Sequence, residues 1–141
     1  MSAMSDYLED KLRGYIFRGS AFTQPTHLYV GLWTSTLTDA STGATAGEVS
    51  TSGTAYARFD AVCGTTWSTE GGGTGKTDNT VEFVFPTATA SWGTVTDVAI
   101  LDSASVGAGN ILLFGLLATS KTVGLGDTFK FGVSGLTISF A

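Results

Sequence analysis

The sequence contains very few of the residues on which metal and redox chemistry depend. Its 141 residues include one cysteine and one histidine. A lone cysteine, Cys63, cannot form an internal disulfide framework and fits a reducing compartment. Zinc sites need several Cys or His ligands, and the acidic residues form no Asp-x-Asp-x-Asp-Gly calcium loop. We therefore expect the protein to have no cofactor and no metal ion.

Charge is also scarce. Charged residues make up 13% of the chain, and the seven Lys and Arg are scattered along it while the formal net charge is −5. Nucleic-acid binding and docking on anionic membranes both need clustered basic residues. The longest apolar run, Ile111–Ala118, is too short to span a bilayer, and the N-terminus shows no secretory signal pattern. These features predict no nucleic-acid partner, no membrane partner, and synthesis and assembly in a cytosol.

What the chain does contain is short runs of β-branched and apolar residues separated by turn residues. Residues 92–117 predict a β-hairpin at the centre of a sheet, because two such runs flank a connector of small residues. The second run, Ile111–Leu117, is apolar on both alternating faces and predicts a strand covered on both sides. Thr26–Thr34 has the same two-faced pattern, so we expect it to lie beside the hairpin.

Further strands are predicted at 56–63, 80–85 and 128–133. The last of these is expected to bury its odd-numbered residues and the following segment its even-numbered ones, namely Phe129, Phe131 and Val133, then Leu136, Ile138 and Phe140. A turn or bulge must therefore lie at Ser134–Gly135. The length suits one domain, and no strand–helix alternation is present. We predict a single all-β domain over residues 1–141, an antiparallel β-sandwich resembling a jelly roll.

Two long polar segments, about 35–54 and about 64–79, interrupt the strands. The first is rich in Ser, Thr, Gly and Ala and has little to bury, so it is predicted to be a surface loop or extended arm. Loops of this length are often ordered by contact with something else, which makes this one a candidate interaction surface. The second contains Glu70–Thr77, which ends like a phosphate-binding loop. Glu70 stands where that motif needs its first glycine, and a strand rather than a helix follows. We interpret this segment as a flexible glycine loop.

No catalytic constellation is apparent in the sequence. His27 flanks a strand, Cys63 lies within a strand pattern, and no serine lies in a nucleophile elbow. Any sandwich can bring two carboxylates together, yet no spacing argues for a catalytic pair among Asp97, Asp102 and Asp127. We therefore expect the protein not to be an enzyme.

The three tryptophans leave a carbohydrate-binding module open as an alternative. Exposed indole rings at Trp33, Trp67 or Trp92 would stack on sugars. Tryptophans at strand and turn positions are more often packed in a core or at an edge, which is the simpler interpretation.

One helix is predicted, at about residues 4–18. Met4, Leu8, Leu12 and Tyr15 recur at helical spacing, while Ser5 can cap the first turn and Gly19 can end the helix. The helix is amphipathic, so it either covers the β domain or docks on a neighbouring subunit. In the second case the candidate interface residues are Tyr7, Leu8, Leu12 and Tyr15.

Several segments together resemble those of small bacteriophage virion proteins, which are described as capsid cement or head-decoration proteins and as tail-fibre proteins. The segments are Ser5–Glu9, Phe17–Gly19, Pro25–Leu32, Gly53–Arg58, Phe85–Thr96, Leu117–Val123 and Gly126–Phe129. Each is a turn-and-strand signature rather than a site. The resemblance implies a non-enzymatic structural subunit of the virion and offers no catalytic residue to transfer.

The leading hypothesis from the sequence is a capsid cement protein, assembled in the host cytoplasm. It would bind the major capsid protein on the outside of the phage head as a homodimer or homotrimer, and its helix and long loops would reach across the lattice. An acidic surface suits that exterior position. A tail-fibre or baseplate component is the alternative, although fibres usually show repeats or heptads, which are absent here. A carbohydrate-binding β-sandwich is the second alternative.

Overall fold

The fold is built on a five-stranded antiparallel sheet. The computed structural model describes residues 3–69 and 73–140, and in these the sheet has the strand order β1-β7-β6-β2-β3. The elements are β1 (Ala3–Met4), α1 (Asp6–Arg18), β2 (His27–Trp33), β3 (Phe59–Val62), β4 (Lys76–Asp78), β5 (Phe83–Val84), β6 (Gly93–Leu101), β7 (Ile111–Val123), β8 (Lys130–Phe131) and β9 (Thr137–Ser139). This is the antiparallel β-sandwich with an N-terminal helix that the sequence predicts.

The predicted central hairpin is confirmed as β6 and β7. β6 lies between β7 and β2, with Val30 opposite Ile100 and Leu32 opposite Val98. Both side-chain faces of β2 and β6 are buried at this point, which explains why their sequences are apolar on both alternating faces.

A second layer covers one face of this sheet. It consists of two antiparallel pairs, β4 with β9 and β5 with β8. Between the layers, Val30, Leu32 and Val95 meet a cluster of phenylalanines that includes Phe83, Phe85, Phe129 and Phe131. Burying each such side chain stabilises the fold by about 1.5–3 kcal/mol relative to leaving it exposed. The phenylalanine cluster therefore holds the two layers together.

The opposite face of the sheet is covered by the segment that the sequence analysis interpreted as an extended arm with little to bury. Leu37 packs there with Trp33 and Leu101. Val49, near the end of the segment, is buried in the cluster between the two layers. The amide N–H of Val49 donates to the carbonyl oxygen of Leu32 at 3.0 Å, and that of Thr34 donates to Gly47 at 2.7 Å. The expectation that this segment has little to bury was therefore wrong, because Leu37 and Val49 are buried and backbone hydrogen bonds hold the segment to the chain's own sheet. Its role as an interaction surface stays a prediction.

Three apolar residues that the alternation assigned to the interior are exposed instead. Val133 is 61% exposed because it lies in the turn closed by the hydrogen bond from Gly135 N–H to Gly132 O, at 2.8 Å. Phe140, just after β9, is 51% exposed. The predicted turn at Ser134–Gly135 is confirmed, with Ser134 in the left-handed region at φ 55°.

The third is Leu116, which is 63% exposed. It lies on β7 beyond the two residues, Leu113 and Phe114, that pair with β1. Further along, β7 bulges, because it covers five steps from Leu116 to Lys121 while β6 covers only two. Among the described residues, no strand pairs with the outer edge of β7 beyond Phe114, so the run is covered on both sides only at its start.

Candidate interaction surface

The helix α1 is fixed to the sheet by its first turn. The N-cap Ser5 is fully buried, and its hydroxyl accepts a hydrogen bond from the amide of Leu8. The same hydroxyl donates to the carbonyl oxygen of Ile111, and the Ser5 N–H donates to that of Leu112 at 3.0 Å. Leu8 packs against β7 and its neighbours, so the helix covers one end of the sandwich. Among the residues that the structure describes, no helix has the length and apolarity that crossing a bilayer needs.

The last turn of α1 is apolar and faces solvent. Tyr15, Ile16 and Phe17 are 60%, 66% and 78% exposed. Gly19 ends the helix in the left-handed conformation at φ 66°. Consecutive helical residues point about 100° apart, so these side chains surround the helix end rather than cover one face of it. Large apolar side chains exposed together in this way are typical of interaction sites on soluble proteins. We call these three residues the helix-end patch.

The helix-end patch carries positive charge at its border on a protein that is acidic as a whole. Arg18 lies in the last turn, and the exposed Arg13 pairs with Asp10 on the same helix. A complementary partner surface would be apolar at its centre and acidic at its rim.

The four interface residues predicted from the sequence differ in their availability. Leu8 is buried in the protein's own core, and Tyr7 and Leu12 pack partly buried against the same cluster. Tyr15 is the one among them whose side chain is largely exposed. Its role at an interface stays a prediction. The sequence analysis did not select Phe17, because helical spacing places it off the apolar stripe. The feature that could have indicated it is an aromatic residue on an otherwise polar helix face.

The covering loop, residues 35–49, is held in place by a buried ion pair. Arg58 Nε and one of its terminal nitrogens lie 2.7 Å from the two carboxylate oxygens of Glu48. The Arg58 side chain is fully buried and that of Glu48 is 5% exposed. The remaining guanidinium hydrogens reach three backbone carbonyl oxygens, those of Gly43, Ser103 and Ala108. One arginine thus ties this loop to the β6–β7 connection.

Tyr56 completes this buried network. Its hydroxyl accepts from the Leu32 amide at 2.8 Å and donates to Glu48 at 3.2 Å. Burial, together with the charge of Glu48, raises the pKa of the Tyr56 phenol far above its usual range. The phenol therefore stays protonated and acts as a structural hydrogen-bond donor.

The residues considered for catalysis do not come together in one site, and most of them make structural hydrogen bonds. His27 Nδ1 is 2.7 Å from Asp60 at the exposed end of β2. Burial and the nearby Asp60 raise the pKa of the Cys63 thiol, which opposes the thiolate form that a nucleophile needs. Asp97, Asp102 and Asp127 each accept from a different backbone amide, those of Leu37, Asn110 and Gly124. Within residues 3–69 and 73–140, no three potential metal ligands come together.

The glycine-rich segment differs from a phosphate-binding loop where the structure describes it. Residues 70–72 lie outside the described residues. Lys76 begins β4, which pairs with β9, so a strand follows the glycines as predicted.

The tryptophans do not offer a sugar-stacking surface. Trp33 is fully buried, and Trp92 is 5% exposed. Their indole N–H groups donate to the backbone carbonyls of Thr45 and Thr54. Trp67 is partly buried edge-on to Phe83, with ring centroids 5.3 Å apart. The interpretation as packing residues is confirmed, and the carbohydrate-binding alternative loses the feature that motivated it.

The fold and its surface define a small β-sandwich protein that exposes large apolar side chains at the end of its N-terminal helix. The sequence matches one family model over residues 3–139, nearly the whole chain. The protein belongs to this family, which is described as podophage GP4 fiber I protein gp80. It is therefore a structural protein of a bacteriophage virion, as the resemblance implied. No curated protein sequence matches the chain significantly.

Proposed function

We propose that this protein is a fibre subunit of the phage particle, a structural component without a catalytic role. The observation that carries the proposal is the family match over residues 3–139 to a fibre protein. The subunit attaches to the particle through the helix-end patch, where Tyr15, Ile16 and Phe17 present apolar side chains beside Arg18. Its partner surface is apolar with an acidic rim.

The folding of the covering loop also favours a fibre subunit over a cement protein. The cement hypothesis from the sequence used the long loops, together with the helix, to reach across neighbouring capsid subunits. Residues 35–49 are instead fastened to their own sheet by Arg58 and by backbone hydrogen bonds. Releasing them would expose a buried ion pair, which is costly.

A capsid decoration protein is the second candidate, and the net charge of −5 favours it. An acidic surface is suited to the outside of a DNA-filled shell, since surfaces that face DNA are basic. In that case the helix-end patch would dock on the major capsid protein, and copies of the protein would stabilise the lattice by mass action.

The copy number of this chain in purified virions distinguishes the two. Quantitative mass spectrometry against the major capsid protein would give the ratio, and antibody labelling in electron microscopy would give the position. A small copy number, with label confined to appendages, is the expected result. A ratio near one to one with label over the head would replace the fibre proposal by the decoration one. Absence from the particle would remove both.

A further inference from the structure

The N-terminal arm, residues 3–18, contacts the rest of the protein mainly at the start of one strand. β1 pairs with Leu113 and Phe114, and Ser5 bonds to the carbonyls of the two residues before them. Leu8 adds an apolar contact to the same region of the sheet. One further backbone hydrogen bond, from Asp6 N–H to Asp39 O, joins the arm to the covering loop at 2.9 Å. The arm is thus a compact unit seated on the outer edge of β7.

A weakly held linker joins this arm to β2. Residues 19–26 form no helix or strand, and most of them are exposed. In the part of the chain that the structure describes, no hydrogen bond holds the five residues from Ala21 to Pro25. Phe22 is the one linker residue that packs against the core cluster beneath the helix. A linker of eight residues reaches at most roughly 28 Å when extended.

We propose that this arm exchanges between copies of the chain, so that β1 and α1 of one copy seat on β7 of another. A second copy has the same β7 edge and can form the same contacts with Ser5, Leu8 and β1. Exchange therefore loses none of the contacts between the arm and the rest of the protein. We assign the β7 edge to the arm of a second copy because the arm is a segment that the structure shows fitting this edge. The inference concerns contacts between copies and does not depend on whether the particle uses the protein as fibre or decoration.

The balance between closed and exchanged forms is set by concentration. Because both forms contain the same arm contacts, the closed form is favoured by the effective concentration of its own tethered arm, on the order of millimolar for a short flexible linker. At micromolar concentration the chain is therefore monomeric. When many copies crowd together at millimolar local concentration, arm exchange becomes competitive and links neighbours.

The open part of β7 supports the same arrangement. Beyond Phe114, no strand within residues 3–69 and 73–140 pairs with this edge, and Leu116 is 63% exposed there. Open strand edges are normally paired or covered. An exchanged arm brings the linker and body of a second copy alongside this edge.

A disulfide placed across the arm contact tests the proposal directly. Met4 and Leu113 are opposite one another in the β1–β7 register. Directly opposite residues in antiparallel strands have Cα separations that a disulfide can bridge. The variant is Met4→Cys with Leu113→Cys, with Cys63→Ser to remove the natural thiol. It is incubated reduced at about 10 μM and at about 2 mM, concentrations on either side of the millimolar crossover, and then oxidised.

Non-reducing electrophoresis then reports the topology of the contact. We expect cross-linked monomers at the lower concentration and covalent dimers or larger species as the main product at the higher one. The matched control is Thr94→Cys with Thr122→Cys in the same Cys63→Ser background. This pair lies opposite within the β6–β7 hairpin and gives monomers at both concentrations. Met4→Cys alone measures random collisions.

Monomers alone at the higher concentration, as in the hairpin control, would overturn the proposal. Leu113 is buried, so replacing it by cysteine removes core packing, and a second experiment therefore uses the unaltered chain. Unmodified and isotope-labelled copies are mixed at the higher concentration, diluted rapidly, and examined by native mass spectrometry. Mixed dimers that survive dilution are expected, since return to monomer requires the arm to detach. Their absence counts against exchange as decisively as the gel.

Discussion

Replacing Arg58 by methionine tests how the covering loop is held. Methionine keeps much of the buried volume but removes every donor of the guanidinium group. The Glu48 carboxylate, whose side chain is 5% exposed, then loses both of its 2.7 Å partners. Breaking a buried ion pair from one side costs about 3–5 kcal/mol. The carbonyls of Gly43, Ser103 and Ala108 lose their donor as well. We therefore expect Arg58→Met to lower the free energy of unfolding by an amount at the upper end of that range.

Such a loss is a large share of the total stability of a small protein, about 5–15 kcal/mol. Urea titration followed by tryptophan fluorescence measures it, since Trp33 packs beneath the loop and bonds to Thr45. Hydrogen exchange shows which part of the protein is loosened by the substitution. The amides of Thr34, Gly43 and Val49, which bond between the loop and its surroundings, should exchange faster than amides in β2.

Two further variants make the result interpretable. Arg13→Met removes an arginine whose side chain is 73% exposed, and we expect a change below about 1 kcal/mol. Glu48→Met combined with Arg58→Met removes both charges, so it should be less destabilising than the two single changes added together, by about 0.5–3 kcal/mol. An Arg58→Met protein that unfolds within 1 kcal/mol of the parent (the exposed-pair range), with unchanged exchange in the loop, would refute the reasoning.

Three other outcomes are expected. Gly43→Ala should destabilise the protein markedly in thermal unfolding, because the added Cβ would lie 2.0 Å from a backbone oxygen, whereas Gly132→Ala meets nothing within 4 Å and should be tolerated. Because the pKa of Tyr56 is raised in the folded protein, the unfolded chain loses the phenol proton first as the pH rises. The free energy of unfolding should therefore be constant below a pH of about 10 and fall above it by up to about 1.4 kcal/mol per pH unit. Tyr56→Phe should show a shallower fall with pH, and equal pH slopes for the two proteins would contradict the assignment. Phe17→Ser should reduce incorporation into virions without lowering the melting temperature, while Leu125→Ser, at a residue 75% exposed elsewhere, should not; equal incorporation of both would remove the helix-end patch from the proposed function.

The elements that sequence reasoning located correctly are those whose pattern is local. β2, β6 and the first part of β7 alternate between two buried faces, and α1 carries its own stop signals in Ser5 and Gly19. Each of these signals depends on neighbours within a few residues, so a single sequence displays it. The strands of the second layer were placed less well, because β5 and β8 have only two residues each and their ladder ends where the chain turns.

The candidate site shows the same division. Helical spacing pointed to Tyr15 but also to Leu8, since one apolar stripe serves equally for a protein's own core and for a partner. Which part of the stripe is covered depends on where the first turn is fixed, and the Ser5 bonds to Ile111 and Leu112 fix it. At the other end of the helix the stripe residue Tyr15 is 60% exposed, and Phe17 is exposed because it lies off the stripe.

By itself, the sequence determined the class of fold, the central hairpin, the helix with both its ends, and membership of a phage structural family. Alternation of side chains and turn residues act over short distances, and a family signature is a property of the chain as written. Only the tertiary structure decided the fate of residues 35–49. Their polar, small side chains predict a surface loop with little to bury. In space, however, Arg58 donates both to Glu48, ten residues away in sequence, and to the carbonyl oxygens of residues 43, 103 and 108. A buried charge is stable only where other groups supply all of its hydrogen bonds. Here those groups are distant in sequence, so no local sequence pattern predicts that they come together.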